Sequence, residues 1–284
     1  MMRPNFLVIG AARCGTSSLC ARLASHPDIF ISDPKEPFFF SHDELYQRGF
    51  AWYESHFRNA GTAKAVGEGS TTYTKHAQFP HVAERIARDL PHARLIYVVR
   101  HPLDQIASHY MVLRSHAENA IRHGAAVGPL FADSVRQNPV LVDTALYWKQ
   151  INRYRRHFPD RQILVVFFED YRDAPDRTLR AMLEFLNVDL DVPLEETAGA
   201  RHASSALLED RTFLRPFQGS SIVNALRRHT PETAKNWVRP FVKRRIGERP
   251  TWDEPTRQWT IERVRPDAEQ FLASYGRPGL WRFD

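Results

Sequence analysis

Short apolar runs rich in β-branched residues, at Phe6–Ile9, Ile29–Ile31, Leu95–Val99 and Ile163–Phe168, alternate along the chain with segments whose apolar positions recur at helical spacing, at Val82–Leu90, Leu103–Leu113, Tyr147–Phe158 and Thr178–Leu186. Strand-length runs separated by helix-length ones predict a central parallel sheet flanked by helices on both faces, an α/β fold of three layers. Ligands in such sheets bind at the carboxyl ends of the strands, which would collect Gly10–Ser17, Asp33–Glu36 and Arg100–Pro102 along one edge. Residues 115–142 are less regular and could form a wall over that edge. After Asp191 the strand signals fade and Pro and Arg become frequent, so this part reads as helices and loops without a second sheet. With no Gly/Ser linker and no repeat, residues 1–284 are expected to form one domain, with its core at about residues 5–190 and a basic helical region at about 191–284.

The first run leads into Gly10-Ala11-Ala12-Arg13-Cys14-Gly15-Thr16-Ser17-Ser18-Leu19, the spacing of a phosphate-cradling, P-loop-like turn between a strand and a helix. Backbone N–H groups and a helix N-terminus would converge there on an anion. A nucleotide triphosphatase would need Lys and then Ser/Thr after Gly15, for the terminal phosphates and Mg²⁺. Here Thr16, Ser17 and Ser18 follow, and the nearby cation is Arg13 inside the loop. The loop therefore suits a phosphate ester other than ATP and offers no pair to hold a metal. An ordinary strand–turn–helix with Gly for its turn would share part of this pattern.

Composition narrows the ligand class only a little. The chain has 284 residues, 43% hydrophobic and 12% aromatic, enough for a substantial core. Its formal net charge of +6 favours anionic ligands without separating nucleic acid, membrane surface and acidic small molecules. Cys14 and Cys20 fall on one loop–helix segment, too far apart for a disulfide if the helix forms, which suits a reducing, cytoplasmic setting. Phe6–Ile9 is too short for the core of a secretory signal and reads better as the first strand, and no run reaches membrane-spanning length.

A second constellation lies in Arg94-Leu95-Ile96-Tyr97-Val98-Val99-Arg100-His101-Pro102-Leu103-Asp104-Gln105-Ile106-Ala107-Ser108-His109-Tyr110. A strand would deliver Arg100 to the binding edge, Pro102 would restart the chain as a helix, and Ser108 would project from its second turn. An Arg fork with a hydroxyl makes a phosphomonoester clamp; an Arg at a strand end can equally form an ion pair with an acidic residue.

With both constellations in place, the chain resembles the sulfotransferases that use 3′-phosphoadenosine 5′-phosphosulfate. The loop Gly10–Leu19 is similar to that family's 5′-phosphosulfate loop and Leu95–Tyr110 to its 3′-phosphate motif. Further matches, in family order, are Ser25-His26-Pro27, Pro34-Lys35-Glu36-Pro37-Phe38-Phe39-Phe40, Gly67-Glu68-Gly69-Ser70-Thr71-Thr72-Tyr73, and Phe168-Glu169-Asp170-Tyr171 leading to Phe185-Leu186-Asn187-Val188. The Lys-Glu-Pro-x-Phe-Phe element places the chain nearer the carbohydrate branch, heparan-sulfate-type enzymes and their bacterial relatives. The resemblance implies Arg13, Cys14, Gly15, Thr16, Ser17 and Ser18 around the 5′-phosphosulfate, Arg100 and Ser108 on the 3′-phosphate, no metal, no nucleic-acid partner, and a carbohydrate-like acceptor.

It also implies Glu36 and Arg13 as the catalytic residues. Sulfuryl transfer to an alcohol needs a base in line with the S–O bond being broken, and Glu36 beside Phe38-Phe39-Phe40 suits that role, with Lys35 opposing any rise of its pKa by desolvation. Without the resemblance, Glu36 is also a surface Lys–Glu pair before a proline turn. His42 and His101 are alternative bases. Glu68 is expected to end a strand at the pocket floor, with Ser70 and Thr72 as possible donors to acceptor or sulfate. Three positions depart from the heparan-type pattern: Arg13 where the branch carries a loop lysine, and Ser41 and Gly69 where it carries an acid and a lysine. They leave the acceptor open, including a lipid or natural product.

The segment Arg227–Arg249 holds eight cations against two anions, with Trp237, Val238, Phe241, Val242 and Ile246 at helical spacing. It could clamp an acidic polymer, lie on an anionic membrane as a peripheral contact, or pack its apolar stripe on the domain. A noncatalytic anion-binding protein would rest on this segment alone. A P-loop nucleotide kinase or triphosphatase would use Ile163–Asp170 as the strand whose acid holds Mg²⁺; the missing lysine after Gly15 argues against it.

Overall fold

The computed structural model describes residues 3–115, 120, 125–194 and 249–284, and the backbone of 208–210 and 243–245. Five strands, β1 (Phe6–Gly10), β2 (Ile29–Ile31), β3 (Ala65–Glu68), β4 (Arg94–Val99) and β5 (Ile163–Phe167), form one sheet in the order β2-β3-β1-β4-β5 with every pairing parallel. β1 and β4 lie inside this sheet, and nearly all their side chains are buried. Strands covered on both faces read as continuous apolar runs rather than as alternating ones, and this made them legible. Helices at Thr16–Leu23, Val82–Asp89, Pro102–Ser115, Tyr147–Arg155, Pro175–Leu186 and Glu254–Ser274 flank the sheet, as the pattern predicts for the first five. Proline opens the third and fifth of these helices, at Pro102 and Pro175, where its missing N–H costs no hydrogen bond.

The wall segment is more regular than expected, with short helices at Phe131–Gln137 and Pro139–Asp143, the latter capped by the Asn138 side chain on Val140 N. The last helix closes the fold: Phe271 stacks on Trp281 and lies against Tyr97, Tyr147 and Phe167. Its Asp267 accepts from the backbone N–H groups of Trp148 and Lys149 at 2.9 and 2.8 Å. A carboxylate from one helix thus caps the N-terminus of another.

The expectation of helices and loops alone after Asp191 is corrected. Lys243–Arg245 is a strand, paired antiparallel with Leu208–Asp210 in a separate two-stranded sheet. The register sets Glu209 opposite Arg244 and Asp210 opposite Lys243, a pairing that helical periodicity cannot reveal. The rest of the basic segment, residues 227–242 and 246–248, lies outside the described residues. No helix among the described residues is long and apolar enough to cross a membrane.

Candidate active site

β1 delivers the chain into a tight loop that only small or strained residues can follow. A Cβ on Gly10 would stand 2.1 Å from Thr74 Oγ1, and one on Gly15 would stand 2.8 Å from the Phe168 ring. Gly15 has φ +88° and Arg13 φ +67°, so two left-handed residues, one of them not glycine, bend the loop back on itself. Gly15 is also the cap of the Thr16–Leu23 helix and brings no side chain to its first turn. The N–H groups of that turn have no intrahelical acceptor, which makes the helix start a natural anion site. Thr16 is buried, Ser17 is exposed, and Ser18 Oγ lies 3.4 Å from Tyr171 OH.

Cys14 brings no side chain to the surface of this loop. Its side chain is fully buried, with Sγ 3.7 Å from both Tyr147 OH and Ala12 O, and its N–H donates to Ala11 O. Burial pushes the thiol up to about 12, so it packs the loop as a small neutral group.

The two segments expected to hold the phosphates meet. Arg13 Nε donates to Ser108 Oγ at 3.1 Å across 95 residues of sequence, and Gln105, one turn earlier on the same helix, donates to Ala12 O at 3.1 Å. Burial first and the Arg100 charge second hold the Arg13 pKa below its ordinary value, as two cations gathered at one edge require. Arg100 has its guanidinium 5.0 Å from the centre of the Phe168 ring and donates to Asp104 at 3.1 Å. Asp104 also pairs with Arg249 at 2.8 Å. The ion-pair reading of Arg100 is therefore realised in the free protein, yet through a half-exposed partner, and such pairs are weak enough for a phosphate to displace.

Glu36 sits beside this edge on the loop that follows β2. Its Oε1 accepts from Lys35 Nζ at 3.2 Å and from Thr71 Oγ1 at 3.3 Å, and its side chain is 29% exposed. Lys35 Nζ also donates to Gly69 O at 2.9 Å. A Cβ on Gly69 would meet Cys20 Sγ at 3.0 Å and Lys35 Cε at 3.2 Å, so the glycine there makes room for a lysine arriving from Lys35. Phe39 and Phe40 are fully buried, Phe39 stacked on Tyr53 at 4.4 Å, and they anchor the Glu36 loop in the core.

Glu68 ends β3 as expected, and Ser70 and Thr72 make hydrogen bonds within the protein. Ser70 Oγ donates to Glu68 Oε2 at 2.6 Å and accepts from Phe38 N at 3.2 Å, and Thr72 Oγ1 lies 2.8 Å from Ser41 Oγ. Tyr53 and Tyr73 hydroxyls donate to Glu68 Oε1 at 3.0 and 2.5 Å. This buried network holds the Phe38–Phe40 turn, and with it Glu36, on the end of the sheet. Of the alternative bases, His101 is pinned under the C-terminal segment, its Nε2 2.8 Å from Arg282 O and its ring 5.1 Å from that of Phe283. His42 has Nδ1 2.9 Å from Ser41 Oγ and packs between the Phe38 and Phe79 rings.

Sequence reasoning missed Lys75 and His109, whose Nζ and Nε2 are 3.3 Å apart next to Ser108. The acids that a kinase-like site would set on Mg²⁺ are occupied: Glu169 Oε1 accepts from His101 N at 2.8 Å, and Asp170 receives both terminal nitrogens of Arg277.

Residues 3–213 match the sulfotransferase domain family. The chain belongs to that family. Among its relatives, the mouse (Mus musculus) bifunctional heparan sulfate N-deacetylase/N-sulfotransferase 3 is 30% identical over 198 residues, covering 65% of this chain and 22% of that protein. The human (Homo sapiens) heparan sulfate glucosamine 3-O-sulfotransferase 6 is 30% identical over 199 residues, 65% of this chain and 52% of that protein. The matched region is thus about a fifth to a half of these relatives' own length. A sulfotransferase from Alicyclobacillus acidocaldarius has the same P-loop-like α/β fold, with a TM-score of 0.65 at 24% identity over 98% of this chain and 97% of that one.

Proposed function

We propose that this sulfotransferase-family chain transfers a sulfuryl group from 3′-phosphoadenosine 5′-phosphosulfate to a hydroxyl or amine of a carbohydrate-like acceptor. The observation that carries the donor half is the Arg13–Ser108 hydrogen bond, which draws the 5′-phosphosulfate loop and the 3′-phosphate helix into one cationic edge with Arg100. The heparan sulfate relatives support the acceptor class.

In this reading the N–H groups of the Thr16–Leu23 helix start, with the Thr16, Ser17 and Ser18 hydroxyls, hold the 5′-phosphosulfate, and Arg100 and Ser108 hold the 3′-phosphate. Glu36 takes the acceptor's proton as the new S–O bond forms. The bond from sulfur to the bridging oxygen breaks, and its electron pair stays on the 5′-phosphate of the departing bisphosphate. Arg13 and the helix N-terminus stabilise that charge without giving up a proton, because a guanidinium stays protonated at ordinary pH.

Incubation of the protein with donor labelled in its sulfuryl group and a panel of heparan-type, lipid and small phenolic acceptors tests this directly. Label should pass to the carbohydrates first. Transfer to lipid or phenol alone would reject the acceptor class, and equal calorimetric affinity for ADP and adenosine 3′,5′-bisphosphate would reject the donor.

A further inference from the structure

Lys75 stands where three parts of the site come together. It follows the 3-10 turn Thr71–Thr74, whose last residue packs against Gly10 so closely that no Cβ fits there. Its Nζ meets Nε2 of His109 at 3.3 Å, one residue past the Ser108 that holds Arg13. The groups around it are Arg13 from the phosphate loop, His109 from the Pro102–Ser115 helix and Glu36 from the loop after β2; Arg13 acts on His109, and Glu36 on Lys75 itself.

The proton positions in this contact follow from its third member. Thr144 Oγ1 donates to Val140 O at 2.9 Å, which leaves its oxygen to accept from His109 Nδ1 at 3.3 Å. His109 therefore carries its proton on Nδ1 and turns the lone pair of Nε2 toward Lys75. Burial, then the charges of Lys75 and Arg13, keep the imidazole neutral. A neutral imidazole beside an ammonium accepts one of its three N–H groups and fixes the direction of the other two. A lysine needed only for packing would not require an oriented, buried acceptor.

We propose that Lys75, aimed by neutral His109, is a third cation of the donor site and donates an N–H to the oxygen that bridges sulfur and phosphorus as charge collects there. The proposal rests on the sulfuryl-transfer reading given above. The bond made is acceptor oxygen or nitrogen to sulfur, and the bond broken is sulfur to bridging oxygen. The acceptor's proton goes to Glu36, and the Lys75 proton stays on nitrogen, shared in a hydrogen bond. Burial brings the Lys75 pKa down to about 8, with Glu36 drawing it back up, and a polyanionic donor in contact would raise it further.

The test needs no acceptor. With lysine side chains labelled at Cε with ¹³C, and Lys75→Met used to assign the signal, the Lys75 titration is followed by NMR with and without adenosine 3′,5′-bisphosphate. The midpoint should start near 8 and rise by about one pH unit or more on binding. Lys75→Met should weaken bisphosphate binding by roughly tenfold, the loss of one charge-assisted contact, and Lys75→Arg should recover part of it. His109→Leu should leave the midpoint less responsive, because the ammonium is no longer aimed. Tight bisphosphate binding with an unmoved Lys75 midpoint and unchanged affinity in Lys75→Met overturns the proposal alone. Failure of the wild-type protein to bind the bisphosphate overturns it together with the donor reading.

Discussion

At the scale of single residues, Glu36 and Arg100 answer to different observables. Glu36 accepts from Lys35 and Thr71 and its proposed role lies on the acceptor side of the sulfur, so Glu36→Gln should cut kcat by about 10²–10⁴-fold and leave bisphosphate affinity nearly unchanged. Steady-state rates beside calorimetry on the same preparation check this. Near-normal kcat in Glu36→Gln, with activity lost in His42→Ala, would move the base to His42. Arg100→Ala should do the reverse. It removes a contact worth about 1.5–3 kcal/mol, so Kd for adenosine 3′,5′-bisphosphate should rise roughly 10- to 150-fold, while ADP, which lacks the 3′-phosphate, should lose little.

Between elements, the clearest dependence is that of the Tyr147–Arg155 helix on the last helix. Leu146, the residue before its first turn, offers no side-chain cap, and Asp267 supplies one from residues far along the chain. Asp267→Ala should therefore cost about 0.5–2 kcal/mol, the usual worth of a cap, read as a lower urea midpoint with an unchanged m-value. The elements that sequence made legible are those with a local signature: β1 and β4 as unbroken apolar runs, the Gly10–Ser17 loop by spacing, the Pro102–Ser115 helix by its opening proline. Others had none. β3 reads Ala-Val-Gly-Glu, and Gly67 is there because a Cβ would stand 2.5 Å from Phe6 O, a packing demand that weakens the strand signal. The Glu254–Ser274 helix carries Pro266 in its interior, and the Lys243–Arg245 strand has no apolar alternation at all. The site shows the same division. Arg13, Arg100, Ser108 and Glu36 lie in motifs with fixed spacing, whereas Lys75 and His109 become a pair only when the turn after β3 packs against the helix after β4.

For the molecule as a whole, Glu68 ties catalytic placement to global stability. It is fully buried at the end of β3, and its three hydroxyl donors connect that strand, the helix at Phe50–Glu54 and the turn that carries Phe38. Burial raises its pKa from 4.5 to about 7, although the hydrogen bonds from Ser70, Tyr73 and Tyr53 pull the other way. The folded protein thus holds a proton between these two values that the unfolded chain has released. The contribution of this group to stability is largest below pH 4.5, falls as pH rises through the window from 4.5 to about 7, and changes little above it. The shift corresponds to a change on the order of 3 kcal/mol across that window. Asp267, raised to about 6 by burial, tilts the wild-type curve in the same direction, so the informative quantity is the difference between wild type and Glu68→Gln. Gln keeps the size and can still accept from the tyrosine hydroxyls, but it does not titrate. Urea denaturation of both proteins from pH 5 to pH 8 should show wild type losing stability relative to the variant as pH rises. Parallel curves would mean that Glu68 titrates alike in the folded and unfolded chains, and that the network holding the Glu36 loop does not depend on its protonation.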